Sequence, residues 1–182
     1  MNPKLRLMGL TGALAMAVQP QLAAAQGPCI TDAEIGAMTI YAVPSAVQAV
    51  QLTCADRLGE SGFLARNSRA FAQRYSALQG RTWPAAKSGL LKVLGSRAGA
   101  GPVAQNLGLI ANLPDQHVRP LVDALLVQEI SARLPVDQCS RIETLLETLA
   151  PVDPEIAGTL VGLTLGLFAA EEPLLCPAGA PR

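Results

Sequence analysis

The sequence contains very little histidine and few aromatic residues. Its 182 residues include one histidine, one tryptophan, two tyrosines and three phenylalanines. The single histidine, His117, excludes an H-E-x-x-H zinc motif, which needs two histidines on one helix face. The few aromatic residues are not interleaved with the basic ones, as a platform for single-stranded nucleic acid requires. Nucleic acid is therefore not expected as a partner.

Several sequence motifs with known chemistry are also missing. No Walker pattern and no G-x-G-x-x-G occurs, and the segment 59–63, GESGF, lacks the final glycine of G-x-S-x-G. The four cysteines include no C-x-x-C pair, which argues against a thioredoxin-like motif or a compact zinc site. The motifs therefore indicate no catalytic, metal-binding or cofactor-binding residue, and we expect no cofactor.

The first 25 residues have the pattern of a secretory signal peptide. Lys4 and Arg6 precede an apolar run over residues 7–18, and residues 23–25 are three alanines of the A-x-A type. The run is shorter than the roughly 20 apolar residues of a membrane span. We predict cleavage after Ala25, an exported protein that is periplasmic or secreted, and one domain over residues 26–182.

The mature chain is predicted to be all-α. Alanine, leucine and valine dominate, and no alternating run is long enough to suggest a β-sandwich. The periodicity predicts helices over residues 63–79, 85–94, 103–113 and 114–134. Gly80 and Gly95 are expected to end the first two, and Pro120 to delay the last until near Arg119. The glycine-rich stretch 95–102 is a candidate linker between two subdomains.

The four cysteines favour two structural disulfides, because an exported chain meets an oxidising environment. A straight helix from Cys29 to Cys54 would hold its ends about 37 Å apart, and a disulfide needs Cα atoms within about 7 Å. Pro44 offers a break at which the chain can fold back. We therefore expect a helical hairpin whose first arm opens with Thr31 and Glu34 in capping-box spacing.

A second hairpin is expected nearer the C-terminus. Cys139 begins an apolar helix, Asp153 is a candidate N-cap with Pro154 in the first turn, and a second helix runs to about residue 170, before Cys176. Chain geometry favours the pairs Cys29–Cys54 and Cys139–Cys176. The alternative is that Pro44 only kinks one long helix and the bridges cross between the two units. The predicted fold is a single domain of about six to eight short helices around two stapled hairpins.

Basic residues greatly outnumber acidic ones between residues 57 and 97. This excess indicates a surface for an anionic partner in the cell envelope, such as a membrane headgroup, a cell-wall polymer or an acidic protein. The alternative is a solvated face, or a region that faces the more acidic C-terminal half. The residues of the candidate surface are Arg57, Arg66, Arg69, Arg74, Arg81, Lys87 and Lys92.

The stretch 156–170 carries no charge and contains Gly158, Gly162 and Gly166. Glycines at this spacing line one helix face and let another helix approach closely. We expect this face to pack on the hairpin partner. The alternatives are self-association into a homo-oligomer and contact with a membrane, although the stretch is short for a span.

One short fragment has a catalytic resemblance. Glu60-Ser61 resembles the catalytic glutamate and following serine of lytic transglycosylases, which are helical cell-wall enzymes, and this implies glycan cleavage by Glu60. The G-L-M-Q-type segment of that family is absent, because residues 69–79 form an amphipathic stretch instead. The favoured hypothesis is therefore a non-catalytic, disulfide-stabilised binding or assembly module. The alternatives are a glycan-cleaving enzyme using Glu60, with His117 as another candidate, and membrane association through residues 156–170.

Overall fold

The computed structural model describes residues 29–98, 111–167 and 174–176 of the chain. These residues form five α-helices: α1 (Asp32–Cys54), α2 (Phe63–Ala98), α3 (Asp115–Arg133), α4 (Cys139–Leu149) and α5 (Pro154–Gly166). Two short 3-10 turns, Ala55–Arg57 and Val136–Gln138, precede α2 and α4. No strand occurs in this part of the chain, where one isolated bridge joins Ile30 to Leu175. The predicted all-α class is confirmed. The number of helices in the described residues is lower than the predicted six to eight, because α1 and α2 are each continuous where two shorter helices were expected. The predicted signal peptide lies outside the described residues.

Helix α1 is the central element, and α2, α3 and α5 all pack against it. Its N-terminus has the predicted capping box, in which Thr31 and Glu34 exchange hydrogen bonds. The predicted break at Pro44 is wrong, because the helix runs through this residue. Proline removes one helical donor, and burial of α1 against its neighbours offsets that loss. By length and composition alone, the segment Asp32–Arg57 is the one candidate membrane span in the described residues.

Helix α2 is longer than predicted and runs without a break past Gly80 and Pro84. The prediction of two helices, over 63–79 and 85–94, is therefore wrong. The physical reason is tertiary packing: Trp83 and Ala86, on either side of Pro84, are buried with Tyr41 of α1 in one apolar cluster. The start of the candidate linker, residues 95–98, belongs to α2, and residues 99–102 lie outside the described residues.

The core lies on both sides of the α1–α2 contact. One apolar cluster joins the C-terminal half of α1 to the start of α2 and to α4, with Phe63, Phe71 and Tyr75 among its buried members. The other joins the middle of α1 to α2 and to Val118 of α3. Glu143 of α4 also accepts a hydrogen bond at 2.9 Å from the backbone nitrogen of Leu64, in the first turn of α2.

The disulfides connect Cys29 to Cys176 and Cys54 to Cys139. The favoured pairs, Cys29–Cys54 and Cys139–Cys176, are therefore wrong, and the alternative of crossed bridges is confirmed. The reason lies in α1: because this helix does not fold back, its two ends are too far apart to share a disulfide. Each bridge instead ties one end of α1 to the C-terminal part of the chain.

The C-terminal elements follow the sequence signals more closely. Asp153 caps α5 by accepting from the backbone nitrogens of Glu155 and Ile156, and Pro154 is its first residue, as predicted. Helix α3 begins at Asp115, so the later start expected from Pro120 is wrong. The proline removes one helical hydrogen bond, and packing of α3 against α1, with Val118 buried, offsets that loss. The helix expected over 103–113 lies mostly outside the described residues.

Candidate functional site

Four of the seven basic residues of the candidate surface bind other parts of the same chain. The Arg74 guanidinium donates to the carbonyl oxygens of Ala150 and Val152 in the α4–α5 turn. Ion pairs join Arg81 to Glu155, Lys87 to Asp115 and Lys92 to Glu34. These contacts hold α2 against its neighbours. Carboxylates compensate the charges of Arg81, Lys87 and Lys92, whereas Arg74 binds only carbonyl oxygens.

Lys92 and Glu34 form the most enclosed of these ion pairs. The Lys92 ammonium lies 2.8 Å from Glu34 Oε2 and also donates to the carbonyl oxygen of Cys29. Ser88 donates to the other Glu34 oxygen at 2.6 Å, and the backbone nitrogen of Thr31 donates at 2.8 Å. Burial raises the pKa of Glu34, but the hydrogen bonds from Lys92, Ser88 and Thr31 outweigh it and leave the pKa below its ordinary value. This carboxylate therefore joins α1 to α2.

The other three basic residues, Arg57, Arg66 and Arg69, are exposed and form no ion pair within the described part of the chain. Arg66 and Arg69 line an open groove between the C-terminal half of α1 and the first half of α2. Gln51 and Ser68 face each other across this groove and share a hydrogen bond of 2.8 Å. The surface for an anionic partner stays a prediction.

The three glycines of α5 are buried against α1. A Cβ at Gly158 would lie 2.8 Å from Ile40 Cδ1, and one at Gly162 would collide with the backbone oxygen of Asp32. A Cβ at Gly166 would meet the Asp32 carboxylate at 2.5 Å. The expected close helix contact is present, but its partner is α1 and not the preceding helix. The glycines are therefore used inside the fold.

The opposite face of α5 is apolar and exposed. Ile156, Leu160, Leu163 and Leu167 are 57%, 56%, 52% and 77% exposed. Their spacing of four, three and four residues is that of a coiled-coil seam, so the side chains form one continuous row on the helix. We call these four residues the α5 strip. No charged side chain occurs between Ile156 and Leu167.

An aromatic and charged cluster joins α1, α2 and α3. The rings of Tyr41 and Trp83 are 4.9 Å apart, and the Arg119 guanidinium lies 5.8 Å from the first and 5.7 Å from the second. Burial, followed by the nearby Asp123 carboxylate, raises the pKa of Tyr41 to about 12. Cation–π contact with two buried rings fixes α3 beside the α1–α2 pair.

The two candidate catalytic residues lie on separate elements. Glu60 is exposed in the turn before α2, and His117 is exposed in the first turn of α3. Neither side chain forms a hydrogen bond within residues 29–98 and 111–167. Over the same residues, no group of three or more histidine, cysteine, aspartate or glutamate side chains could hold a metal ion.

No protein-family model, curated protein or solved structure matches this chain. Among the features that point outward from the described part of the fold are the α5 strip and the groove beside Arg66 and Arg69. The sequence predicted Arg66 and Arg69 as part of a basic surface and residues 156–170 as a candidate for self-association or membrane contact, but it predicted neither the strip nor the groove. The strip had a readable signal in the four-three-four spacing opposite the glycines. The groove had none, because Gln48 and Gln51 meet α2 only in the folded chain.

Proposed function

We propose that this protein is an exported helical module of the cell envelope that assembles with a second copy of itself through the α5 strip. One observation carries the proposal: α5 buries its glycine face in the fold and leaves a row of large apolar side chains in water. Soluble proteins rarely expose contiguous apolar surface without a partner for it. Export is proposed on the signal-peptide pattern of residues 1–25.

A second copy fits the strip better than a charged partner. The strip has no charge, so the partner surface must be apolar. The same strip on a second copy of the protein meets that requirement. The seam spacing lets two such helices interlock their side chains. In a two-fold dimer the same patch lies on both sides of the interface. Four side chains are far fewer than the roughly 20–30 residues a side of a stable complex. We therefore expect a weak, reversible dimer.

A membrane surface fits the strip less well, because α5 and its flanking sequence carry acidic residues and no basic one, although Arg81 of α2 pairs with Glu155. Asp153 and Glu155 are exposed at its N-terminus, and Glu171 and Glu172 follow its C-terminus in the sequence. Helices that lie on anionic membranes carry lysine and arginine beside their apolar face, and acidic groups are repelled there. The charge pattern therefore favours a protein surface.

The test is sedimentation velocity of the oxidised protein over a concentration series. We expect the native protein to shift from monomer toward dimer between about 1 and 100 μM, the range of weak complexes. Leu160→Glu places a charge in the centre of the strip and should leave a monomer throughout. Leu145→Glu is the matched control, because Leu145 is equally exposed at 57% but lies on α4; this variant should dimerise like the native protein.

Two results would contradict the proposal. One is a native protein that stays monomeric over the whole series. The other is equal dimerisation of the native protein and Leu160→Glu, which would place the interface elsewhere. Flotation with vesicles of anionic phospholipid separates the membrane alternative: a monomer that floats, and that loses flotation with Leu160→Glu, would assign the strip to lipid.

A further inference from the structure

A second outward-facing feature lies on a different part of the bundle. The groove between α1 and α2 has a volume of about 680 Å³, within the range of pockets that hold small organic molecules. Helix α1 contributes Pro44, Val47, Gln48 and Gln51 to its walls, and α2 contributes Ala65, Arg66, Ser68, Arg69 and Ala72. The α5 contact with α1 involves Asp32, Gly36 and Ile40, so the groove lies further along α1.

The groove has an uncompensated positive charge. Arg66 and Arg69 lie three residues apart and therefore on the same side of α2. No carboxylate is among the residues that line the groove, and no described residue forms an ion pair with either arginine. Neighbouring like charges on a helix repel each other. An anion bound between the two guanidinium groups would relieve that repulsion and gain charge-assisted hydrogen bonds.

The rest of the groove is lined by both polar and apolar side chains. Ser68 is buried, and its hydroxyl oxygen accepts a hydrogen bond from the Gln51 amide at 2.8 Å. The Gln48 side chain is exposed on the α1 side. Pro44 and Ala72, both partly exposed, supply short apolar surface beside these amides. Such a site suits a ligand with an anionic head and a small apolar body.

We infer that this groove binds a small organic anion, whose carboxylate or phosphate group lies between Arg66 and Arg69 and whose apolar part contacts Pro44 and Ala72. Guanidinium groups match both head groups, because their forked donors can bind two oxygens at once. The inference does not depend on dimerisation through the α5 strip.

The experiment is a titration of the oxidised, full-length protein followed by two-dimensional NMR. The probes are hexanoate, butyl phosphate and inorganic phosphate, with hexanol as the uncharged control. We expect hexanoate or butyl phosphate to shift the amide signals of the groove, and hexanol to shift them much less. The difference in affinity between hexanoate and butyl phosphate shows whether the groove prefers a carboxylate or a phosphate group. Inorganic phosphate should bind more weakly than butyl phosphate, because it lacks the apolar part.

The double variant Arg66→Gln, Arg69→Gln should weaken binding about tenfold or more, because it removes two charge-assisted contacts. Arg141→Gln is the control: this arginine is also exposed but lies on α4, and its loss should leave binding unchanged. Binding should persist in Leu160→Glu, which separates this inference from the proposed dimer. The inference is overturned by failure of all anionic probes to bind at millimolar concentration, by equal binding of hexanol, or by unchanged affinity in the double variant.

Discussion

At the residue scale, Glu34 is the one charged residue among the buried residues of the described part of the chain, with 8% of the residue's surface exposed. It has two roles, and the sequence predicted only the first. Its backbone and carboxylate complete the capping box with Thr31, and the same carboxylate pairs with Lys92 of α2. The capping role was predictable from the spacing of Thr31 and Glu34. The ion pair was not, because Lys92 lies 58 residues away and only the α1–α2 contact brings the charges together.

Glu34→Gln should destabilise the protein by about 3 kcal/mol at neutral pH, because it leaves the Lys92 ammonium enclosed without its counter-charge. The folded-state pKa of Glu34 lies below its ordinary value. The stabilisation is therefore present in full above the ordinary carboxyl pKa and is lost as the pH falls through the folded-state pKa. We expect the stability gap between the native protein and Glu34→Gln to narrow in acid, as measured by urea denaturation at pH 7 and pH 3.5.

The control for this prediction is Glu155→Gln. Glu155 also forms an ion pair, with Arg81, but both side chains are more than half exposed. Loss of this exposed ion pair should lower the free energy of unfolding by less than about 1 kcal/mol. The prediction is contradicted if the two variants lose the same free energy of unfolding. It is also contradicted if the loss for Glu34→Gln is the same at pH 7 and pH 3.5, since the buried pair would then not stabilise the fold through its charge.

At the element scale, local signals determine where several helices begin, and tertiary packing determines whether they continue. The capping box at Thr31 and the Asp153-Pro154 start of α5 act within one turn, so the sequence could predict them. Pro44, Gly80 and Pro84 are unfavourable inside helices by at most a few kcal/mol each. Packing of α1 and α2 along each other offsets these costs. This stabilisation cannot be predicted from a local sequence pattern, because it comes from contacts between distant segments. Helix boundaries expected from glycine and proline alone were therefore wrong.

Two glycine substitutions test this distinction between local and tertiary effects. Gly162→Ala should destabilise the protein by about 1–3 kcal/mol, because its Cβ would meet the backbone oxygen of Asp32 and force α5 away from α1. Gly80→Ala should stabilise it by about 0.5–1 kcal/mol, since Gly80 lies inside α2 with no atom within 4 Å of an added Cβ. Urea denaturation measures both. A stabilising Gly162→Ala would mean that α5 does not approach α1 closely.

At the scale of the whole molecule, the two disulfides link both ends of α1 to later parts of the chain. Cys29 and Cys54 lie at opposite ends of α1, and their partners are 147 and 85 residues further along the chain. The sequence could predict two disulfides from the cysteine count and the signal pattern. It could not select the pairs, because that choice depended on whether α1 folds back at Pro44. The sequence also could not predict that the α5 strip is exposed, because this depends on which helix packs against the glycine face of α5.

Digestion of the unreduced protein with trypsin and Glu-C, followed by mass spectrometry, tests the pairing directly. Cleavage after Glu34 separates Cys29 from Cys54, and cleavage after Arg141 separates Cys139 from Cys176. We expect the peptide containing Cys29 to be linked to that containing Cys176, and Cys54 to Cys139. A Cys29–Cys54 linkage would contradict a continuous α1, since a helix of 23 residues holds its ends far apart.

Because the two disulfides link residues far apart in the sequence, we expect their reduction to lower the stability strongly. Each bridge restricts a long loop of the unfolded chain, which in the loop-entropy description stabilises the fold by about 4–5 kcal/mol. Cys54→Ser with Cys139→Ser should therefore lower the free energy of unfolding by roughly that amount. The reductant should lower Tm further in this variant, because Cys29–Cys176 remains to be broken. A Tm unchanged by reductant in the native protein would show that packing of α2, α3 and α5 around α1 is sufficient without the bridges. A large decrease would instead mean that a bundle with so few aromatic residues depends on covalent closure of both ends of its central helix.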